Sequence, residues 1–217
     1  LVFKEKYGLK KLAFPLFGEN AADEFNTIIL RSGYGNTWIN RNKNGRPKAQ
    51  YSRDGWGKDS QHDMGHLAGH SFYAHLFING LYWGIYNPEE RLDADFAESY
   101  LGGDAEDYDV IKDYTEVVDG DKNEWNYLIK QLNDGVQSNE AYYKIRGMNS
   151  DGNRSLDYRA YIDVVNLADY ILLNYYAGNK DWDQHNWVAM RNRNKPGSGF
   201  TFFCWDMEQI IESLNDN

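Results

Sequence analysis

Residues 71–87 carry the pattern that leaves this chain the fewest folding options. Two aromatic-rich runs, 71–78 and 81–87, flank the dipeptide Asn79-Gly80. Both of these residue types tolerate positive φ, which a two-residue type I′ hairpin turn requires. Phe72, Tyr73 and Phe77 on the first run can meet Tyr82, Trp83 and Tyr86 across the ladder. Pro88 has no backbone donor and is expected to stop the sheet.

The rest of the chain divides by pattern. Residues 1–17 alternate basic and apolar side chains and predict a strand or two ending near Pro15. Residues 25–32 are β-branched in the middle, precede Gly33 and Gly35, and predict a better strand. Residues 36–60 are polar and glycine-dotted, a loop with a short helix near Trp56. Residues 93–100 predict an acidic helix closed by Gly102-Gly103, and 108–112 a short strand. Two short helices are expected at 123–132 and 139–146. The longest is expected at 155–176, with Ser155 able to cap it. Residues 186–190 and 200–205 read as strands around a Pro-Gly turn, and 208–214 as the start of a helix. No internal repeat or low-complexity tract occurs. Strands dominate before about residue 118 and helices after it. This predicts an α+β fold in one domain over 1–217, with lobe-like halves at 1–118 and 119–217 and a cleft between.

Length and composition agree with a packed core. The 217 residues are 41% hydrophobic, with 7 Trp, 17 Tyr and 10 Phe, which argues for a globular chain over a disordered one. A net charge of −10 argues against nonspecific nucleic-acid binding. It leaves room for a nucleotide, because a metal can screen acids from phosphates. With Cys204 alone no intrachain disulfide can form. No apolar run approaches the roughly 20 residues that cross a bilayer. The opening Leu1-Val2-Phe3 reads as the start of an excised piece, with both ends expected to be truncated and the targeting signal outside it. Oligomeric state is not encoded in any pattern found.

The chemistry concentrates in residues 178–186, between the long helix and the next strand. Asp181 and Asn186 stand five apart, the interval between a protein kinase's catalytic-loop aspartate and its metal-binding asparagine. Asp206 follows the last strand. Asn186 and Asp206 offer hard oxygen ligands suited to Mg²⁺ or Mn²⁺. Asp181 could accept the proton of an acceptor hydroxyl, with Asp183 as a competitor for that role. Asp181 and Asp183 also suit plain turn formation. Asp206 also suits an N-cap with Gln209 in the capping-box position.

No G-x-G-x-x-G or P-loop signature is present. The cations available for phosphates are Lys4, Lys6, Arg31 and Lys112, with Lys112 favoured and Glu90 expected to hold one of them as an ion pair. Glu90 with Arg91 also reads as a local surface pair. His62, His66 and His70 recur every four residues and would share a helix face. Gly65 and Gly69 weaken such a helix by about 1 kcal/mol each. Structural packing is therefore preferred to a transition-metal site.

Taken together, these segments resemble the CotH family of spore-coat-type atypical protein kinases. The carrying residues are 29–33, Arg53-Asp54, 77–87 with Glu90-Arg91, 108–112, 178–186 and Trp205-Asp206. The resemblance spans about residues 3–210, and the stretch reading INGLYWGIYN followed by ER is its most specific part. It implies a diverged, bilobal protein-kinase-like fold. It further implies an ATP- and divalent-metal-dependent enzyme that phosphorylates serine on exported or surface proteins. Asp181 would be the catalytic aspartate and Asp206 a metal ligand, with Arg31, Glu90 and Lys112 on the nucleotide side. The histidine segment resembles exported members more than spore proteins. Two other functions stay open: a carbohydrate-binding or carbohydrate-active surface domain, and a kinase-like scaffold without catalysis.

Overall fold

A computed structural model describes residues 1–33 and 37–212. The fold is mixed α+β. A small sheet near the N-terminus pairs β1 (Leu12–Ala13) with β2 (Glu24–Phe25). A three-stranded antiparallel sheet follows in the order β3 (Ile28–Arg31), β5 (Leu81–Glu90), β4 (Ala74–Ile78). A four-stranded antiparallel sheet has the order β7 (Glu116–Asp119), β6 (Tyr108–Lys112), β8 (Trp187–Asn192), β9 (Thr201–Cys204). Its strands come from both sides of residue 118. The helices are α1 (Arg53–Asp63), α2 (Ala94–Leu101), α3 (Asn123–Asp134), α4 (Asn139–Ile145) and α5 (Val164–Tyr176).

The four-stranded sheet is the centre of the core. Every residue of β8 is buried, and successive side chains go to opposite faces. Trp187 and Ala189 pack with Trp125, Leu128, Tyr170 and Leu173 from α3 and α5. Val188 and Met190 pack with Phe96, Ala97 and Phe203 on the α2 side. A strand covered on both faces has no need of polar alternation, which explains its continuous apolar run.

The hairpin forms with Asn79 and Gly80 at φ 52° and 79°, and the rings of Phe77 and Tyr82 lie 5.1 Å apart. Pro88 does not stop the sheet: β5 continues to Glu90, paired with β3. Phe72 N–H donates to Pro88 O, so the absent Pro88 donor would have faced Phe72 O. The Asn87 side-chain amide donates there instead, at 2.7 Å. One residue thus supplies the hydrogen bond its neighbour lacks.

Other boundaries shift for local reasons. The helix expected from Ser155 starts at Val164, where Asp163 accepts from Asn166 N–H. Ser155 instead accepts from Asp157 N–H in a turn. The helix near Trp56 runs the full length of α1 and stops at Asp63, with Gly65 at φ 85°. His62, His66 and His70 therefore do not share a helix face. Residues 208–212 form a turn and bend in place of a helix. Ser213 and Leu214 of that expected helix, and Gly35 after the early strand, lie outside the described residues. Among the described residues no helix is long and apolar enough to cross a membrane.

Candidate functional site

The loop after α5 is held from below by the helix it leaves. Gly178 takes φ 60°, a left-handed position that glycine adopts without steric cost. Gly178 N–H bonds Tyr175 O and Asn179 N–H bonds Asn174 O, which is the Schellman arrangement. The buried Asn174 accepts from the Asn179 amide at 2.8 Å, and Asn179 Oδ1 accepts from Asp181 N–H at 3.1 Å. Trp182 donates to Tyr170 OH at 2.7 Å. Asp181 is thereby set in place through two asparagines rooted on α5.

Asp181 and Asn186 meet directly. The Asn186 amide donates to Asp181 O at 2.8 Å and to Asp181 Oδ2 at 3.0 Å. Asn186 N–H is held by Asp113 at 2.7 Å, and Asn186 sits at φ 65°. His185 Nε2 lies 3.0 Å from Asp181 Oδ1. Gln209 Nε2 donates to Asp181 Oδ2 at 3.1 Å. Gln209 stands three residues beyond Asp206, which is at φ 54°. Lys180 N–H to Gln209 O and Ile211 N–H to Ala177 O complete the stitching. The Asp181 loop and the Asp206 turn are adjacent segments. Two of their polar residues hold left-handed backbone, a conformation that Asn and Asp tolerate and that recurs at functional sites.

Asp206 does not cap a helix. Its Oδ1 receives Arg31, whose guanidinium also reaches Glu208 at 2.7 Å, Asp54 at 3.1 Å and Glu89 at 3.8 Å. Behind Arg31, the buried Lys58 pairs with Asp54 at 2.7 Å and with Glu89. Four carboxylates thus surround two cations. Burial works against the Arg31 and Lys58 charges, but the carboxylates outweigh it and hold both protonated. Burial also works against ionised Asp54, yet Lys58 and Arg31 bring its carboxyl down to about 2. For Glu89 burial wins and raises the carboxyl to about 7. Asp54 also accepts from Met207 N–H at 2.8 Å, so α1 grips the residue next to Asp206.

The structure brings Asp181, Asn186, Asp206 and Arg31 into one region and treats the other expected residues differently. Asp183 is exposed on the loop and makes no hydrogen bond or ion pair among the described residues. Lys112 pairs with Asp113 at 3.8 Å and Glu116 at 3.4 Å, one residue from the carboxylate that holds Asn186. Lys4 and Lys6 are exposed near the N-terminus. The ion-pair role expected of Glu90 belongs to Glu89, because adjacent strand residues face opposite ways. Glu90 binds His70 at 2.8 Å and Tyr100 OH at 2.6 Å, and Arg91 turns to Asp93 at 3.3 Å. The His62 and His70 rings lie 4.6 Å apart at a tilt of 35°, while His66 binds Asp169 at 2.7 Å. Among the described residues no group of three or more His, Cys, Asp or Glu is arranged to hold a metal.

Sequence reasoning assigned no site role to Asp54, Lys58, Glu89 or Gln209. Asp54 and Lys58 stand four apart, the spacing of a helical ion pair, but with Gly55 and Gly57 between them the sequence predicts only a short helix near Trp56. The oxygen chemistry of Asn186 and Asp206 suits a hard divalent cation. Asn186 commits its amide nitrogen to Asp181, which leaves its Oδ1 as the donor atom. Among the described residues Asp206 engages Arg31 through Oδ1 alone.

Fold and site define a mixed α+β domain in which an arginine clamps an acidic turn beside a carboxylate–amide loop. The sequence places it more narrowly. The family model described as CotH kinase protein matches residues 50–217, and the chain belongs to that family. Asp54, Lys58, Glu89, Asp181, Asn186 and Asp206 lie inside the match; Arg31 lies before it. No match is found among curated proteins.

Proposed function

We propose that this protein is an ATP- and divalent-metal-dependent phosphotransferase acting on serine hydroxyls of exported or cell-surface proteins. The observation that carries the reading is the joining of Asp181 to the Asp206 turn. One oxygen of Asp181 receives both Asn186 and Gln209, and the turn bearing Gln209 is clamped by Arg31.

Asp181 orients the acceptor hydroxyl and takes its proton as the serine oxygen bonds the γ-phosphorus. The bond from that phosphorus to the β–γ bridging oxygen breaks, and ADP leaves. Asn186 and Gln209 hold the carboxylate so that one rotamer faces the hydroxyl, and positioning of this kind supplies much of phosphoryl-transfer catalysis. Asp206 and Asn186 are the residues that would hold Mg²⁺ or Mn²⁺, which neutralises phosphoryl charge when bound. Arg31 supplies a fixed positive charge beside them, with Lys58 behind it keeping Asp54 and Glu89 in place. Lys112 borders the loop through Asp113 and is the second cation we assign to the nucleotide.

Radiolabel transfer from ATP with Mg²⁺ or Mn²⁺ tests this reading. Asp181→Asn is expected to lose at least about 100-fold in rate, in the range typical of a lost general base, with ATP binding retained. No transfer by the wild type, or equal transfer by the variant, would overturn it. The engagement of Asp206 by Arg31 favours one alternative, a scaffold that binds nucleotide without transfer. ATP binding with no label transfer to any protein would select it.

A further inference from the structure

We infer that the loop of residues 4–11 docks this protein on a bilayer surface bearing anionic phospholipids. Lys4, Lys6 and Lys10 meet the headgroup phosphates, and Tyr7 and Leu9 enter the interface between them. The inference is independent of the phosphotransferase reading, which uses none of these residues.

The loop leaves and rejoins the fold at neighbouring residues. Phe3 N–H bonds Asn26 O at 3.0 Å, and Leu12 pairs with Phe25. Phe3 and Leu12 are half-buried, and every residue between them is exposed. This is the form of an Ω-loop. Its internal backbone bonds are local, from Tyr7 N–H to Lys4 O and from Gly8 N–H to Glu5 O. Gly8 turns the chain at φ 145°, a conformation that favours glycine. A Cβ there would meet nothing within 4 Å. Tyr7 is 78% exposed and Leu9 80%, so the two apolar side chains beside this turn stand in water. Taking them out of water is favourable. A convex loop suits a soft surface that yields around it.

Charge names the surface. The loop carries four lysines and Glu5 in a chain whose net charge is −10. Lys11 pairs with Glu24 at 3.6 Å, while Lys4, Lys6 and Lys10 make no ion pair among the described residues. Lys6 Nζ lies 5.3 Å from the Tyr7 ring, so charge and ring already sit side by side. The other acids of this region lie at the far end of the small ladder. Ala13 pairs with Glu24, and the turn after β1, which carries Glu19 and Asp23, leaves in the opposite direction. Screening acts over about 8 Å at physiological ionic strength, so the groups at the contact outweigh the acidic remainder. Lysine heads reach phosphates while their stems lie along an apolar layer, and tyrosine suits a membrane interface. Nucleic acid would use Tyr7 and the lysines too, but it gives Leu9 no apolar medium to enter. Register sets the pose. Val2 bridges Thr27, and the loop lies beyond Asn26, at the end of this strand pair away from Arg31. Docking through it keeps Arg31 on the side away from the bilayer.

Co-sedimentation with phosphatidylcholine vesicles, with and without phosphatidylserine, tests the docking. The wild type is expected to bind the phosphatidylserine vesicles and to bind pure phosphatidylcholine far more weakly. A lysine at an anionic surface changes binding by about fivefold, so Lys4→Gln, Lys6→Gln and Lys10→Gln together should weaken it by roughly 100-fold. Tyr7→Ser with Leu9→Ser should weaken it by at least about tenfold. All five positions are exposed, and an unchanged melting temperature verifies that each variant folds. A wild type that does not sediment with phosphatidylserine vesicles overturns the inference. So does equal binding to both vesicle types, and so does binding that either variant leaves unchanged. Duplex DNA is the competing ligand: a wild type that binds DNA and neither vesicle assigns the loop to nucleic acid and overturns lipid docking. Each of these failures leaves phosphoryl transfer from ATP to be judged by its own assay.

Discussion

Arg31 joins parts of the chain that are far apart in sequence. It leaves β3, reaches Asp54 on α1 and Glu89 on β5, and closes on Asp206 and Glu208 near the end of the described chain. Two cations among four carboxylates leave an excess of negative charge, and the fully buried Glu89 carries the cost. Its carboxyl is raised to about 7, burial outweighing Lys58 and Arg31. The native state therefore holds a proton that the unfolded state, near the ordinary glutamate value, has already released. Where the native state binds more protons, stability falls as pH rises. Glu89 thus contributes stability below about pH 4.5 that is lost as pH rises toward 7. Melting curves from pH 5 to 7.5 should show the wild type losing stability relative to Glu89→Gln. Parallel curves would mean that Glu89 stays ionised throughout.

At the scale of elements, α1 holds the site together. Its glycines reduce helix propensity, and the reason for one of them is steric. A Cβ at Gly57 would overlap the side chain of Met207, which is 1% exposed and has little room to move. Only a bare backbone lets α1 sit this close to the residue after Asp206. Gly57→Ala should cost about 1–3 kcal/mol by overpacking, read by urea unfolding, even though alanine is the better helix former. No loss would show that Met207 can swing aside. Propensity alone predicts only a short helix near Trp56, because it weighs each glycine without its neighbours. The hairpin makes the opposite point. Its turn needs only Asn79 and Gly80, and those two residues were enough to find it. The continuation past Pro88 depends on the side chain of Asn87 bonding Phe72 O, which a rule about proline in strands does not contain.

At the scale of the whole molecule, the proposed donor should bind across parts that the N-terminal sheet, α1 and the last turn each contribute. Ligand that binds only the native state stabilises it by mass action, by about 2.7 kcal/mol at a hundredfold excess over the dissociation constant. For a chain of this size that is roughly 5–10 °C in melting temperature. ATP with Mg²⁺ should produce a shift of that order, and ATP with EDTA a smaller one. Equal shifts would argue that the metal is not held with the nucleotide. The family match covers residues 50–217, whereas Arg31 comes from a strand before it. A fragment lacking β3 would leave Asp54 and Glu89 with Lys58 alone.

The sequence by itself determined what short-range chemistry can determine. It set the type I′ turn, the strand 108–112, the helix after Asp93 and the five-residue interval that lets Asn186 reach Asp181. Each depends on residues within a few positions, where backbone geometry leaves little choice. It also carried the family, because the ordered motifs survive as text. The tertiary structure alone decided which acids face which cations. Glu89 and Glu90 are neighbours with opposite surroundings, and Arg31 meets Asp206 across 175 positions. Such pairs form only when strand register and helix packing are already in place. Burial, which no local pattern shows, then decides which of those charges the protein can keep.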